Sequence, residues 1–191
     1  TTAHAGARPS HAEWQGRVFK IHGSSPDYPN FVDSTGYGSG SGLCGWNCRH
    51  SFYPYWPGIS SPAYSKERLA EYDRAKYSYN GDMLTDYECS QIQRAYEREI
   101  REIKRILSSY DAAMQESRSE AQIQCIQEDF TSESVKLKKK ERELKNFCND
   151  TNRSYDSART QVVAYKDSEG RIVNFGRSTA QKAVWANKKS N

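Results

Sequence analysis

The feature that most constrains this chain is the stretch from His4 to Tyr64, in which glycine and proline alternate with histidine, cysteine and aromatic residues. It contains all four histidines, all six prolines and three of the four tryptophans. Proline fixes φ and has no amide proton, and glycine allows backbone conformations that other residues avoid. We therefore expect an irregular backbone held in a defined path, supported by the charged, helix-forming sequence that follows.

The chain has few apolar residues for its length. Its 191 residues suffice for one domain, or for a small head with an appendage. Only 36% are apolar, against about 45–50% in typical soluble domains. No segment approaches the roughly 20 apolar residues of a membrane span. Five cysteines, an odd number, argue against a disulfide framework and favour a reducing compartment.

The first forty residues predict two short elements and a loop. Ser10 is a candidate N-cap for a helix over residues 11–15, and alternating apolar residues over 17–21 predict a strand. Residues 24–42 are expected to be a flexible connector. Their alternating glycines allow a phosphate-binding cradle as the alternative, but the Lys-Ser/Thr pair of a nucleotide motif is missing.

Residues 43–64 combine a cysteine-rich turn with an aromatic segment. Pro54 and Pro57 exclude a regular helix or a central strand here. We expect the aromatic side chains to pack into the core, and an exposed aromatic platform is the alternative. These side chains are Phe52, Tyr53, Tyr55 and Trp56.

Two long helices are predicted in the second half of the chain. A short helix from Ser65 to about residue 77 ends at an Asn-Gly-Asp break, and long helices then span about 85–114 and 120–150. Their apolar residues recur mainly every three or four positions, which predicts one buried stripe on each helix and an antiparallel hairpin. The stripes are Ile92, Tyr96, Ile100, Ile103, Leu107, Tyr110 and Met114, then Ile123, Ile126, Phe130, Leu137, Leu144 and Phe147. Cys89, Cys125 and Cys148 are interpreted as small core residues.

The second long helix carries a dense basic run, although the net charge of the chain is only +4. Interleaved glutamates favour a solvated helix face, and contact with DNA or an acidic protein is the alternative. The run consists of Lys136, Lys138, Lys139, Lys140 and Arg142.

The C-terminal residues predict a β-hairpin over about 162–175, with Gly170 in the turn, and a final helix over about 178–188. Ala180, Ala183, Val184 and Trp185 are expected to face inward. The predicted class is thus α+β: a loop-rich Cys/His head (1–64), a long antiparallel helical hairpin (65–155), and a β-hairpin plus short helix (156–191) that packs back on the head.

The residues with the clearest chemical potential form the pattern C-x3-C-x-H. Cys44, Cys48 and His50 lie within seven residues, and a distant His11 completes four candidate ligands, ahead of His4 and then His22. Thiolate and imidazole suit Zn²⁺, which takes four such ligands in a tetrahedron. The sequence therefore predicts a structural zinc site, although a second CxxC-type pair is missing.

Two other interpretations of these residues stay open. The thiols and histidines are equally compatible with ordinary buried core residues. In the third interpretation Cys48 is the nucleophile of a hydrolase or transferase, with His11 or His50 as its base and Asn47 or Asp33 orienting that base.

The same stretch resembles a known family, phage minor capsid protein 2, which is related to the Mu-type head morphogenesis proteins. The resemblance rests on residues His4–Gly16, Tyr28–Ser60 and Ala63–Ser65, about the first third of the chain. It implies a virion structural protein near the portal and head interior, assembled in the host cytoplasm, with portal and capsid proteins as partners. It implies no established reaction. Together with the low apolar content and the two one-sided helices, it leads us to expect that the helical hairpin docks onto portal, capsid or scaffold proteins.

One difference from the Mu-type relatives bears on the site. Those proteins end their shared domain in an Asn-Cys-Arg-Cys-like phrase, and here His50 stands in place of the last cysteine. A metal site tolerates an exchange of cysteine for histidine, whereas a thiol nucleophile at that position does not. The resemblance thus favours metal binding over catalysis.

Overall fold

The computed structural model describes residues 1–166, 169, 172–174, 182–184 and 186. The chain falls into two units, residues 1–90 and residues 91–191. Helices and short antiparallel strands are both present, which confirms the predicted α+β class; the division into three modules stays a prediction. The elements are α1 (Pro9–Ala12), α2 (Phe31–Thr35), α3 (Lys66–Asp73), β1 (Tyr77–Tyr79), β2 (Asp82–Leu84), α4 (Asp86–Glu116), α5 (Glu120–Asp150), a 3-10 turn (Ser157–Thr160), β3 (Val163–Lys166) and β4 (Ile172–Asn174).

The short elements of the first unit differ from the prediction. Helix α1 starts at Pro9 rather than after Ser10, because proline at the first helical position needs no amide partner. No strand forms over residues 17–21, where the structure has only an isolated bridge between Lys20 and Asn30. Helix α2 lies inside the predicted loop: the Asn30 side chain accepts a hydrogen bond from the Asp33 amide, and Gly36 ends the helix at φ 62°.

The core of the first unit is small. Trp14, Phe31 and Leu43 are buried together, with Phe19 and Cys48 packed against them. Residues 43–64 are irregular, as the prolines predict. A unit with so little apolar core depends on other interactions for its rigidity.

The aromatic segment does not join this core, so the prediction that it packs inward is wrong. Phe52, Tyr53 and Trp56 are 41%, 47% and 60% exposed, and Tyr55 is half-buried. The Phe52 ring contacts Phe31 and Tyr37, at centroid distances of 4.8 and 5.3 Å, and is still partly exposed. The neighbouring prolines exclude a regular helix here.

Residues 65–85 contain a hairpin that the prediction missed. Ser65 caps α3 as expected, but the helix ends at Asp73. Strands β1 and β2 then pair around Asn80 and Gly81, whose φ values of 52° and 92° are those of a two-residue turn. The Asn-Gly pair was interpreted as a helix break, although it is a strong hairpin signal.

Helices α4 and α5 form the predicted antiparallel hairpin. Thr85 and Glu88 cap the start of α4 reciprocally, and residues 117–119 link it to α5. Within residues 91–150 the two helices are joined by Lys140–Glu99 at 2.9 Å and Lys104–Glu141 at 3.2 Å. The described helices include none with the length and apolar character required to cross a membrane.

The buried stripe of α4 is more polar than predicted. Ile100 and Leu107 are fully buried. Glu97, Lys104 and Asp111 are also buried, whereas the residue of the predicted stripe that comes directly before each of them is only half-buried. Each of these charges has an ionic partner, which offsets its desolvation. The partners are Arg159, Glu141 and Lys182, respectively.

The stripe of α5 agrees better with the prediction. Phe130, Leu137, Leu144 and Phe147 are buried. Cys89 and Cys148 are buried as expected, whereas Cys125 is exposed and is not a core residue. Cys125 lies one position before Ile126, on the solvent side of a stripe that is only half-buried there.

The C-terminal hairpin is confirmed where it is described. Strands β3 and β4 are antiparallel, while the predicted turn residue Gly170 lies outside the described residues. Residues 182–184 and 186 are helical; Ala183 is buried as expected, but Val184 is 59% exposed and does not face inward. Ala180 and Trp185 also lie outside the described residues.

Candidate metal centre

The structure brings together three of the four predicted ligands. His11 is on α1, and Cys48 and His50 follow in the irregular segment. One ligand atom from each lies within 4.8 Å of the other two. Both histidines are buried and Cys48 is half-buried. The three residues therefore converge beside the small hydrophobic cluster of the first unit, to which Cys48 also packs.

The distance between Cys48 and His50 fits coordination of one zinc ion. Zn–S and Zn–N bonds of about 2.3 and 2.0–2.1 Å at a tetrahedral angle separate sulfur and nitrogen by about 3.6 Å. Cys48 Sγ and His50 Nδ1 are 3.5 Å apart. The pair has the required spacing without a change of backbone.

Tight backbone turns place these side chains. A Cβ atom on Gly42 would lie 1.9 Å from the Gly36 carbonyl oxygen, so only glycine fits at that crossing. Cys44 and Asn47 adopt φ values of 60° and 54°, and the Cys48 amide donates to the Gly45 carbonyl. This strained, over-determined path is typical of functional sites.

The protonation of both histidines follows from their partners. His11 Nε2 lies 2.8 Å from the Ser41 carbonyl oxygen, which only accepts. Nε2 therefore carries the proton, and Nδ1 is left with a free lone pair. A ring nitrogen that donates to a carbonyl while the other is free is the usual arrangement of a metal-binding histidine.

Gln15 fixes His50 in the same way, and the sequence interpretation missed it. Its Oε1 accepts the His4 backbone amide at 2.7 Å and lies 3.0 Å from His50 Nε2. Because the amide only donates, the glutamine atom must be oxygen, so His50 Nε2 donates and Nδ1 faces Cys48 with a lone pair. The four-residue spacing from His11 was the available signal, since the sequence predicts a helix over residues 11–15, although Gln15 lies in the turn after α1.

Burial keeps His50 neutral. It lowers the pKa of His50 to about 4, with smaller contributions from the charges of His4, His11, Arg49 and Arg8. At neutral pH the imidazole is therefore an uncharged ligand.

The remaining predicted positions are placed differently. Cys44 is exposed, and its Sγ donates to the His50 carbonyl at 3.6 Å rather than joining the group of three. His22 is exposed. His4 stacks on His50 with ring centroids 4.2 Å apart.

The nucleophile interpretation has His11 or His50 as the base for Cys48, and one ring nitrogen of each lies within 4.8 Å of the Cys48 sulfur. His50 is the weaker base of this hypothesis, because burial lowers its pKa to about 4 and it therefore holds a thiol proton weakly. The group that orients His50 is Gln15, not the predicted Asn47 or Asp33.

Comparison with known proteins then decides the family. Residues 1–149 match the family described as Phage minor capsid protein 2. The chain belongs to that family. Membership confirms the resemblance seen in the sequence and the predicted class, a phage head structural protein.

Two relatives of this minor capsid protein are each called "Structural protein". The one from Lactococcus phage LL-H is 36% identical over 108 residues, which are 54% of this chain and 26% of that protein. The one from Lactococcus phage mv4 is 37% identical over 80 residues, 42% of this chain and 55% of that protein. The chain thus spans about a quarter and about half of their lengths. No solved structure matches it.

Proposed function

We propose that this minor capsid protein is a structural component of the phage head whose first unit is built around a zinc ion held by His11, Cys48 and His50. The observation that carries the proposal is the convergence of one sulfur and two oriented nitrogens within 4.8 Å. Cys44 stays the predicted fourth ligand of this centre.

The donor set and the small core both support zinc. Thiolate with imidazole is a combination that selects Zn²⁺ over Mg²⁺ or Ca²⁺, which prefer oxygen. Trp14, Phe31 and Leu43 form a buried hydrophobic cluster of three residues in the first unit. A structural zinc ion contributes folding free energy directly, which compensates for such a limited core.

The first unit also has a surface suited to a partner protein. An open groove of about 640 Å³ runs beside the aromatic segment, lined by Phe19, Tyr53 and Trp56 among others. Clustered exposed apolar side chains of this kind mark protein interaction sites. We propose that portal or capsid proteins bind here, during assembly in the host cytoplasm and then in the virion.

The predicted docking element, the helical hairpin, is less exposed. Of the large apolar side chains in residues 86–150, all of which are described, Val135 alone is prominently exposed, at 42%. This gives a matched control for the groove. We expect Tyr53→Ser with Trp56→Ser to abolish co-purification with portal or capsid protein, and Val135→Ser to leave it unchanged. The reverse result would place the interface on the hairpin.

DNA contact through the basic run has weaker support. Lys136, Lys139 and Lys140 pair with carboxylates, which include Glu133 and Glu143. If the run binds DNA, affinity falls steeply with added salt, and replacing Lys138 and Arg142 with glutamine reduces it. Affinity unchanged by salt or by the substitutions would remove DNA as a partner of this helix.

A further inference from the structure

We propose that His4, through Nε2, is the fourth ligand of this centre, in the place predicted for Cys44. This inference rests on the metal centre proposed above and completes its coordination as three histidines and one cysteine.

The N-terminal segment is fastened beside the other ligands. The Thr2 amide donates to the Ser51 carbonyl at 2.8 Å, and the Ser51 amide donates to Thr2 Oγ1, also at 2.8 Å. Arg49 donates to the carbonyls of Ala5 and Gly6. His4 is thus held alongside the segment that contains Cys48 and His50.

The protonation of His4 matches that of His11 and His50. Its Nδ1 lies 2.9 Å from the Ala5 carbonyl oxygen, closer than the 3.4 Å to the Arg49 guanidinium. The carbonyl only accepts, so Nδ1 carries the proton and Nε2 is the free nitrogen. Each of the three rings therefore donates from one nitrogen and keeps a lone pair on the other.

The free nitrogen of His4 is buried and has no partner. Among the described residues, His4 Nε2 is a buried side-chain atom without a hydrogen-bond donor or acceptor nearby. A buried acceptor left unpaired destabilises the fold. Coordination of a cation beside His50, whose ring stacks on that of His4, removes this cost.

Cys44 lacks the same features. It is exposed, and its thiol donates to the His50 carbonyl, so its proton has an acceptor. Neither His4 nor Cys44 has a ligand atom within 4.8 Å of all three atoms of the group, and of the two the buried, unpaired nitrogen of His4 is the better donor to an ion held by His11, Cys48 and His50.

The test is cobalt and zinc binding by the full chain and three variants. Co²⁺ reports coordination through its ligand-field bands and its sulfur-to-metal charge-transfer band. We expect His4→Phe, which keeps a stacked ring, to lose the four-coordinate cobalt spectrum. Its Zn²⁺ affinity should also fall, and by more than the loss of about 10–100-fold that is typical when a residue outside the ligand shell is changed. Cys44→Ser should bind both ions like the unsubstituted chain.

A third variant keeps the proposal testable if His4→Phe folds poorly. His4→Cys supplies a second thiolate, and we expect it to retain four-coordinate cobalt with a charge-transfer band about twice as intense. Loss of binding in Cys44→Ser but not in His4→Phe would overturn the assignment of His4, as would full binding by both. Failure of the unsubstituted chain to bind cobalt would overturn the metal centre itself.

Discussion

Gln15 gives the sharpest test of how the ligands are oriented. Its side-chain oxygen accepts hydrogen bonds from the His4 amide and from His50 Nε2, and the residue is only 5% exposed. In Gln15→Leu both donors lose their acceptor inside the protein. Two unpaired buried donors destabilise the fold by about 2–6 kcal/mol in total, from about 1–3 kcal/mol each.

The same substitution weakens metal binding. Loss of an outer-shell partner of a ligating histidine lowers metal affinity by about 10–100-fold, which corresponds to about 1.4–2.7 kcal/mol. Gln15→Glu is the matched control, because a carboxylate keeps both acceptor positions and makes His50 a more basic ligand. We therefore expect Gln15→Glu to bind zinc at least as tightly as the original residue.

The assay is competition for Zn²⁺ against a chromophoric chelator, with circular dichroism to verify that each variant is folded. A folded Gln15→Leu protein that binds zinc as tightly as the unsubstituted chain would refute the reasoning, because His50 would then need no orienting partner. Equal weakening by Gln15→Glu would refute it as well.

Three further predictions concern residues outside the centre. Arg159→Met should lower the free energy of unfolding in urea by about 3–5 kcal/mol, because Glu97 is left as a buried, unpaired carboxylate. Glu97→Gln should lower it by about 1 kcal/mol or less, because Arg159 is 48% exposed and stays solvated; equal losses of stability in the two variants would contradict this. Phe130→Ala should cost about 3–5 kcal/mol in the same measurement, since the ring is fully buried; a cost below 1 kcal/mol would mean that the hairpin is not packed there. Iodoacetamide near neutral pH should label Cys125, which is exposed, and not Cys148, because burial raises the pKa of that thiol; mass spectrometry of the folded chain shows whether this order is reversed.

The sequence predicts the long elements well because their signals are local and repeated. The two long helices end within a few residues of their predicted bounds, and Phe130, Leu137 and Leu144 are buried as their spacing indicates. The buried charges of α4 were not predictable, because the carboxylate of Glu97 is acceptable only with Arg159, which lies far along the chain.

The structure of the first unit was harder to predict from the sequence than the two long helices. The residue types of the candidate centre were evident from composition, and His11, Cys48 and His50 do converge. The position of His4 beside Cys48 and His50 depends on the hydrogen bonds between Thr2 and Ser51, which join residues far apart in sequence. The exposure of the aromatic segment could not be predicted either, because its apolar composition alone predicts burial.

The central claim is that this minor capsid protein holds a structural metal ion in its first unit. The most direct measurement is the metal content of the full chain, purified without chelators, beside Cys48→Ser and His50→Ala. We predict about one zinc ion per chain in the unsubstituted protein and little in either variant. A zinc-free protein that takes up no zinc when the ion is supplied, yet has a folded first unit, would contradict the claim.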